Sequence, residues 1–171
     1  MRRLVSNQRG MTLAEVLVAL PIITIGLLAL LSAIPLSTYA IQDGSQTSTA
    51  TFLANQRLEQ VRNAQWLATC PATVDTLGVS ASSTAAPTSG GTTMFADENA
   101  IAAPYAAYTR QVRITDSVAS TTVCGVTGAI TGTYGLRRVT VTVTYRPMSA
   151  TGTSAVSGSR SVAVNMEVAQ R

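Results

Sequence analysis

The sequence predicts an α+β protein: a long N-terminal helix, transmembrane in its first half and amphipathic in its second, packed by a small antiparallel β-sheet head. Three observations lead there. An almost purely apolar run follows a short basic start, apolar residues then recur at spacings of three and four, and the last third alternates with the period of strands. A chain of 171 residues has room for one ordinary domain and an appendage, hardly for two.

Residues 1–10, MRRLVSNQRG, form a basic leader without acids. All twelve basic residues of the chain are Arg, and Arg2, Arg3 and Arg9 lie in this leader. The other nine face eight carboxylates, so the basicity belongs mainly to the leader. No broad phosphate-binding surface follows, and no nucleic-acid partner is expected.

Residues 11–35 form the expected membrane segment. Between Val16 and Pro35 the only polar side chains are Thr24 and Ser32. About 20 residues at 1.5 Å each span a hydrocarbon core of roughly 30 Å. Three Arg precede the span and none follows before Arg57, which predicts a cytoplasmic N-terminus and an exported remainder. A secretory signal peptide shares the basic start, but its apolar region is shorter and ends in a small-x-small site. Ser32-Ala33-Ile34 and Ser37-Thr38-Tyr39 match such a site poorly, and composition alone leaves both readings open. Pro21 removes one backbone donor and is expected to loosen the helix; Pro35 closes the span.

Residues 36–66 read as an amphipathic helix. Ala50, Leu53, Ala54, Leu58 and Val61 make one apolar face, Glu59 and Arg62 can pair on another, and Gly44 is the weakest point.

Residues 67–171 form the expected head. Residues 67–104, with VSASSTAAPTSGGTT at their centre, are low in complexity and read as a long connection or variable loop. Asp97-Glu98-Asn99 offers oxygen ligands for Ca²⁺ without the remaining ligands at a known spacing, and reads as a solvated turn. In RRVTVTVTYRP, Val139, Val141, Val143 and Tyr145 share one face, with Arg138, Thr140, Thr142 and Thr144 on the other. Val162, Val164, Met166 and Val168 alternate likewise with Ala163, Asn165 and Glu167, and Tyr108, Val112 and Ile114 suggest an earlier strand. Such a sheet needs a cover for its apolar face, which the amphipathic helix provides.

Cys70 and Cys124 both fall outside the membrane in this topology. An exported pair is a disulfide candidate, closing a loop of about 54 residues for roughly 4 kcal/mol; two unpaired thiols are the alternative. The chain has no His, no Lys, no Cys/His metal pattern, no GxSxG and no P-loop. The commonest general base, the Ser/His triad and most zinc chemistry are thereby removed, and no cofactor or metal is expected.

At the leader junction, Gly10 is followed by Met11, Thr12, Leu13, Ala14 and Glu15, and then the apolar run begins. This resembles the processing motif of type IV prepilins and type II secretion pseudopilins. The resemblance implies that a prepilin peptidase cuts between Gly10 and Met11 and N-methylates Met11, with Thr12 and Leu13 completing the motif. It also implies that Glu15, fifth in the mature chain, meets the terminal amine of a neighbouring subunit during assembly. Met11 stands where Phe is commoner, and Ala14 where a bulky residue is usual. Residues 53–62, Leu-Ala-Asn-Gln-Arg-Leu-Glu-Gln-Val-Arg, resemble the helix of PilV-type minor pilins. The cysteine spacing differs from the C-terminal disulfide loop of major pilins. The implied partners are the peptidase, other pilins or pseudopilins, an inner-membrane assembly platform and the lipid bilayer. The implied location is the inner membrane, single-pass, with the head periplasmic or extracellular, or in a pilus fibre. A membrane-tethered periplasmic binding module that never polymerises is the alternative function; a secreted enzyme would need cleavage beyond the span.

Overall fold

The computed structural model describes residues 12–68, 73–120, 123–124, 130–132, 135–147 and 158–171. Among the described residues, one helix, α1 (Leu13–Arg62), precedes ten strands: β1 (Trp66–Ala68), β2 (Thr73–Asp75), β3 (Val79–Ser80), β4 (Pro87–Ser89), β5 (Thr92–Thr93), β6 (Tyr108–Val118), β7 (Val123–Cys124), β8 (Ile130–Thr131), β9 (Leu136–Tyr145) and β10 (Arg160–Ala169). The expected α+β layout is present.

The helix is 50 residues long and is helical through Pro21, Pro35 and Gly44. Its first three-fifths touch little else. The most apolar window has a mean hydropathy of 2.6 with none of it buried inside the protein, which is the opposite of a soluble core helix. The two hydroxyls in the span are satisfied by the helix itself: Thr24 donates to the Leu20 carbonyl at 2.7 Å and Ser32 to that of Ala29 at 2.8 Å.

From Ala50 onward the helix is covered. Ala50, Leu53, Ala54 and Val61 are buried and Leu58 packs against them, as their spacing predicts. Helix α1 ends at Arg62, short of the expected residue 66, because the chain is claimed by the sheet. Thr76 Oγ1 accepts from the Gln65 amide at 2.8 Å, Trp66 pairs with Asp75, and the Trp66 ring is buried with the Arg137 guanidinium 4.1 Å above its centroid.

The main sheet has the order β10-β9-β6, antiparallel throughout. Val141 lies opposite Val112 on one side and Val164 on the other. Val112, Ile114, Val139, Val141, Val143 and Tyr145 face α1 and are buried; Arg138 and Glu167 face out and pair with each other. Strand β10 runs alongside the helix in the same direction. Arg160 at its start meets Asp43, and beyond its end the Arg171 amide donates to the Trp66 carbonyl at 3.0 Å. At the end of the sheet nearer the bare part of the helix, the Tyr145 hydroxyl also meets Thr47 Oγ1 at 2.8 Å.

One finding corrects the sequence reading and another adds to it. The described part of 67–104 is an ordered pair of small sheets, β1-β2 and β3-β4-β5, rather than a structureless connection. Asp75 Oδ1 accepts from the Leu77 and Gly78 amides, and Gly78, at φ +70, runs so close to Thr88 that an added Cβ would lie 2.9 Å from its backbone. Arg113 ties the segment to β6 by donating to the Ser83 and Thr84 carbonyls. In addition, Arg110 and Arg137 point inward at the register of the core valines. Arg110 donates to Glu98 at 2.7 and 3.1 Å, to the Leu53 carbonyl and to Gln56; Arg137 is held by Asp75 and Asp116. Arginine suits these places because its planar fork fills several acceptors at once.

Two measurements follow. Glu98→Ala leaves Arg110 and Arg57 side by side without their shared carboxylate and should destabilise the head by about 3 kcal/mol, against about 0.5 kcal/mol for Glu59→Ala in an exposed pair. Denaturant unfolding of the detergent-purified protein checks the contrast. Hydrogen bonding from Arg113 holds the Asp97 carboxyl below its usual range. A depressed carboxylate contributes stability that is complete above its unfolded value near 3.9 and is lost as pH falls through the folded value. Arg113→Met should raise the Asp97 pKa, read by NMR titration, and shift the onset of acid unfolding to higher pH.

Candidate processing and assembly site

Gly10 and Met11 lie outside the described residues; Thr12, Leu13 and Glu15 lie within them. Thr12 is the N-cap of α1, with an extended backbone. Its Oγ1 accepts from the Glu15 amide at 3.4 Å, and its carbonyl accepts from the Glu15 and Val16 amides at 3.0 and 3.3 Å. Thr12-Leu13-Ala14-Glu15 thus has the spacing of a capping box, in which a Thr at the cap and a Glu three residues on satisfy the free amides of a helix start. The signal for it is present in the sequence, in the same residues that carry the processing pattern. Thr12 therefore has a local physical role as well, which is to start the helix two residues after the Gly10-Met11 bond. Leu13 is 79% exposed, so its place in the motif owes nothing to packing within this chain.

Glu15 sits in the first turn, where the positive end of the helix dipole favours a carboxylate by about 0.3 to 1 kcal/mol. It differs from every other carboxylate side chain of the protein. Asp43, Glu59, Asp75, Asp97, Glu98, Asp116 and Glu167 each have an arginine partner. Glu15 has no ion pair among the described residues, although it heads the apolar segment where an unpaired charge costs most.

The other candidate residues resolve differently. Asp97 is held by Arg113 at 2.6 and 2.8 Å and Glu98 by Arg110 and Arg57, so this partly exposed turn keeps contact with solvent while both its carboxylates are engaged by arginines rather than free for Ca²⁺. Cys70 and the Cys124 side chain lie outside the described residues, and so does the expected disulfide.

Residues 5–31 match the family model of the prokaryotic N-terminal methylation motif. The search of curated proteins and that of solved structures give no match. The matched stretch covers the leader junction, the capped start of α1 and most of its uncovered apolar half, and it supports a type IV pilin-like precursor with a membrane-anchoring helix.

Proposed function

We propose that the chain is the precursor of a minor pilin, of PilV type, or of a pseudopilin, a structural subunit rather than an enzyme. It inserts with its leader in the cytoplasm and its head outside the inner membrane. Prepilin peptidase cuts after Gly10 and methylates Met11, and the assembly platform then draws the subunit into a fibre of related subunits.

The observation that carries this reading is the lone carboxylate. Seven acidic side chains are neutralised by arginines of the chain, and the eighth, Glu15, heads a bare apolar helix without a cation among the described residues. Cleavage between Gly10 and Met11 would create an α-amino group four residues upstream of Glu15. The amine of one subunit and the carboxylate of the next can neutralise each other in lipid, and breaking such a buried pair costs roughly 3 to 5 kcal/mol, enough to reject a misregistered neighbour. The capping geometry supports the same reading, because Glu15 can anchor the first turn by its backbone while its carboxylate stays available.

The mature protein should begin at Met11, carrying a methyl group; mass spectrometry of the native N-terminus tests this, and a start beyond residue 34 would refute it. Glu15→Ala should be cut normally and stay in the membrane but enter sheared fibres poorly, whereas Gly10 replaced by a bulky residue should accumulate uncut. Wild-type incorporation of Glu15→Ala would remove the assembly role. The Cys70–Cys124 bridge belongs to the same proposal for an exported head; free-thiol labelling of the unreduced, denatured protein should leave both residues unmodified.

A further inference from the structure

The two edges of the main sheet are treated in opposite ways. Edge β6 is protected along its length. Glu98 forms an isolated bridge with Arg110, Ser80 Oγ accepts from the Ile114 amide at 3.0 Å, and a bulge interrupts the register between Asp116 and Val118. These are ordinary devices by which a protein keeps a sheet edge from pairing further.

Edge β10 carries none of them. Its ten residues pair with β9 in unbroken register, with no proline, no lysine and no bulge. Among the described residues, nothing but β9 hydrogen-bonds to its backbone between Arg160 and Ala169. The outward side chains of Ala163, Asn165 and Ala169 are small and neutral. The charges at its two ends are cancelled, Arg160 by Asp43 and Glu167 by Arg138. On the inward face, Val162, Val164, Met166 and Val168 are only half-buried, while Val139, Val141 and Val143 of the adjoining strand are fully buried. The helix covers the β9 row completely and the β10 row in part, so an apolar row remains open beside a row of unpaired amides and carbonyls.

We propose that the free edge of β10 accepts an extended segment of a neighbouring pilin-like subunit as a fourth strand of the sheet. The inference rests on the pilin-like reading for the identity of the neighbour, and on the edge itself for the chemistry. Only an extended backbone supplies donors and acceptors at the spacing of the row. The half-covered valines require that segment to place apolar side chains at alternate positions on the helix side, and the neutral edge favours a segment without net charge. A second copy of β10 does not fit. Because β10 runs in the same direction as α1, antiparallel pairing about a two-fold axis would turn one helix end for end, which two chains anchored from the same side of one bilayer do not allow.

Detergent-purified full-length protein and a fluorescent peptide with the sequence of residues 139–145, which carries no charged side chain, test the edge. That sequence has the required alternation and already complements the opposite side of β10. The peptide should bind, slow amide exchange in β10 and leave β6 unchanged. Val164→Lys should weaken binding by about tenfold or more, since the incoming strand would cover an unpaired ammonium, while Thr142→Lys on the outer face should not. Met166→Lys replaces Val164→Lys if the latter fails to fold. Absence of binding, protection at β6 instead, or unaltered binding by the folded lysine variant overturns the edge site. In membranes, a photoreactive residue at Ala163 should crosslink to a different chain whose precursor begins with a prepilin leader; crosslinks only to copies of this chain overturn the proposed partner. A mature N-terminus at Met11 without peptide binding sinks the edge and leaves the pilin-like reading standing, whereas peptide binding with cleavage beyond residue 34 does the reverse.

Discussion

The head depends on one contact: the stripe Ala50, Leu53, Ala54 and Val61 of α1 pressed against Val139, Val141 and Val143 of β9. Small residues in the stripe let the sheet approach closely, and Leu53 supplies much of the volume. Burial of a Leu or Val side chain is worth about 1.5 to 3 kcal/mol, so a handful of residues carries most of the apolar stabilisation of a small sheet. The same contact sets the functional division of the helix. Where the stripe begins, the helix belongs to the head; before it, every large apolar side chain is exposed and must find lipid or another helix.

Arginine does a second kind of fastening. With no lysine and no histidine, every side-chain cation of the head is a guanidinium, which keeps its charge near neutrality. Arg110 and Arg137 also reach places that an ammonium would serve poorly, because each bonds several acceptors from different elements with one rigid plane.

Much of this is legible in the sequence where a period is long enough to count. The helix face at Ala50, Leu53, Ala54 and Val61 and the alternation of Val139 through Tyr145 require only spacing. The small strands of residues 66–93 do not show, because two or three residues carry no period and the local turns closed by Asp75 and Ser82 are tied down by Arg137 and Arg113 from distant strands. The inward arginines escape for a different reason. Residues 110 and 137 have the same parity as the core positions 112 and 139, but an arginine in an apolar register reads as an exception unless its acceptors are known. At the leader, the residues of the processing pattern are plain, while the capping role of Thr12 is hidden behind it in the same four letters.

The fastening of β10 along α1 at both ends determines how the head takes force. Any pull on the bare N-terminal part of α1 acts nearly parallel to β9 and β10. Strands loaded along their length resist as a set, with the ladder sharing the strain, whereas strands peeled from one end yield one hydrogen bond at a time. The contacts of Arg160 with Asp43 and Tyr145 with Thr47 guard the end nearest the anchor, where peeling would start. Helix and head thus form a mechanical lap joint, strongest in the direction in which a membrane-anchored subunit is drawn.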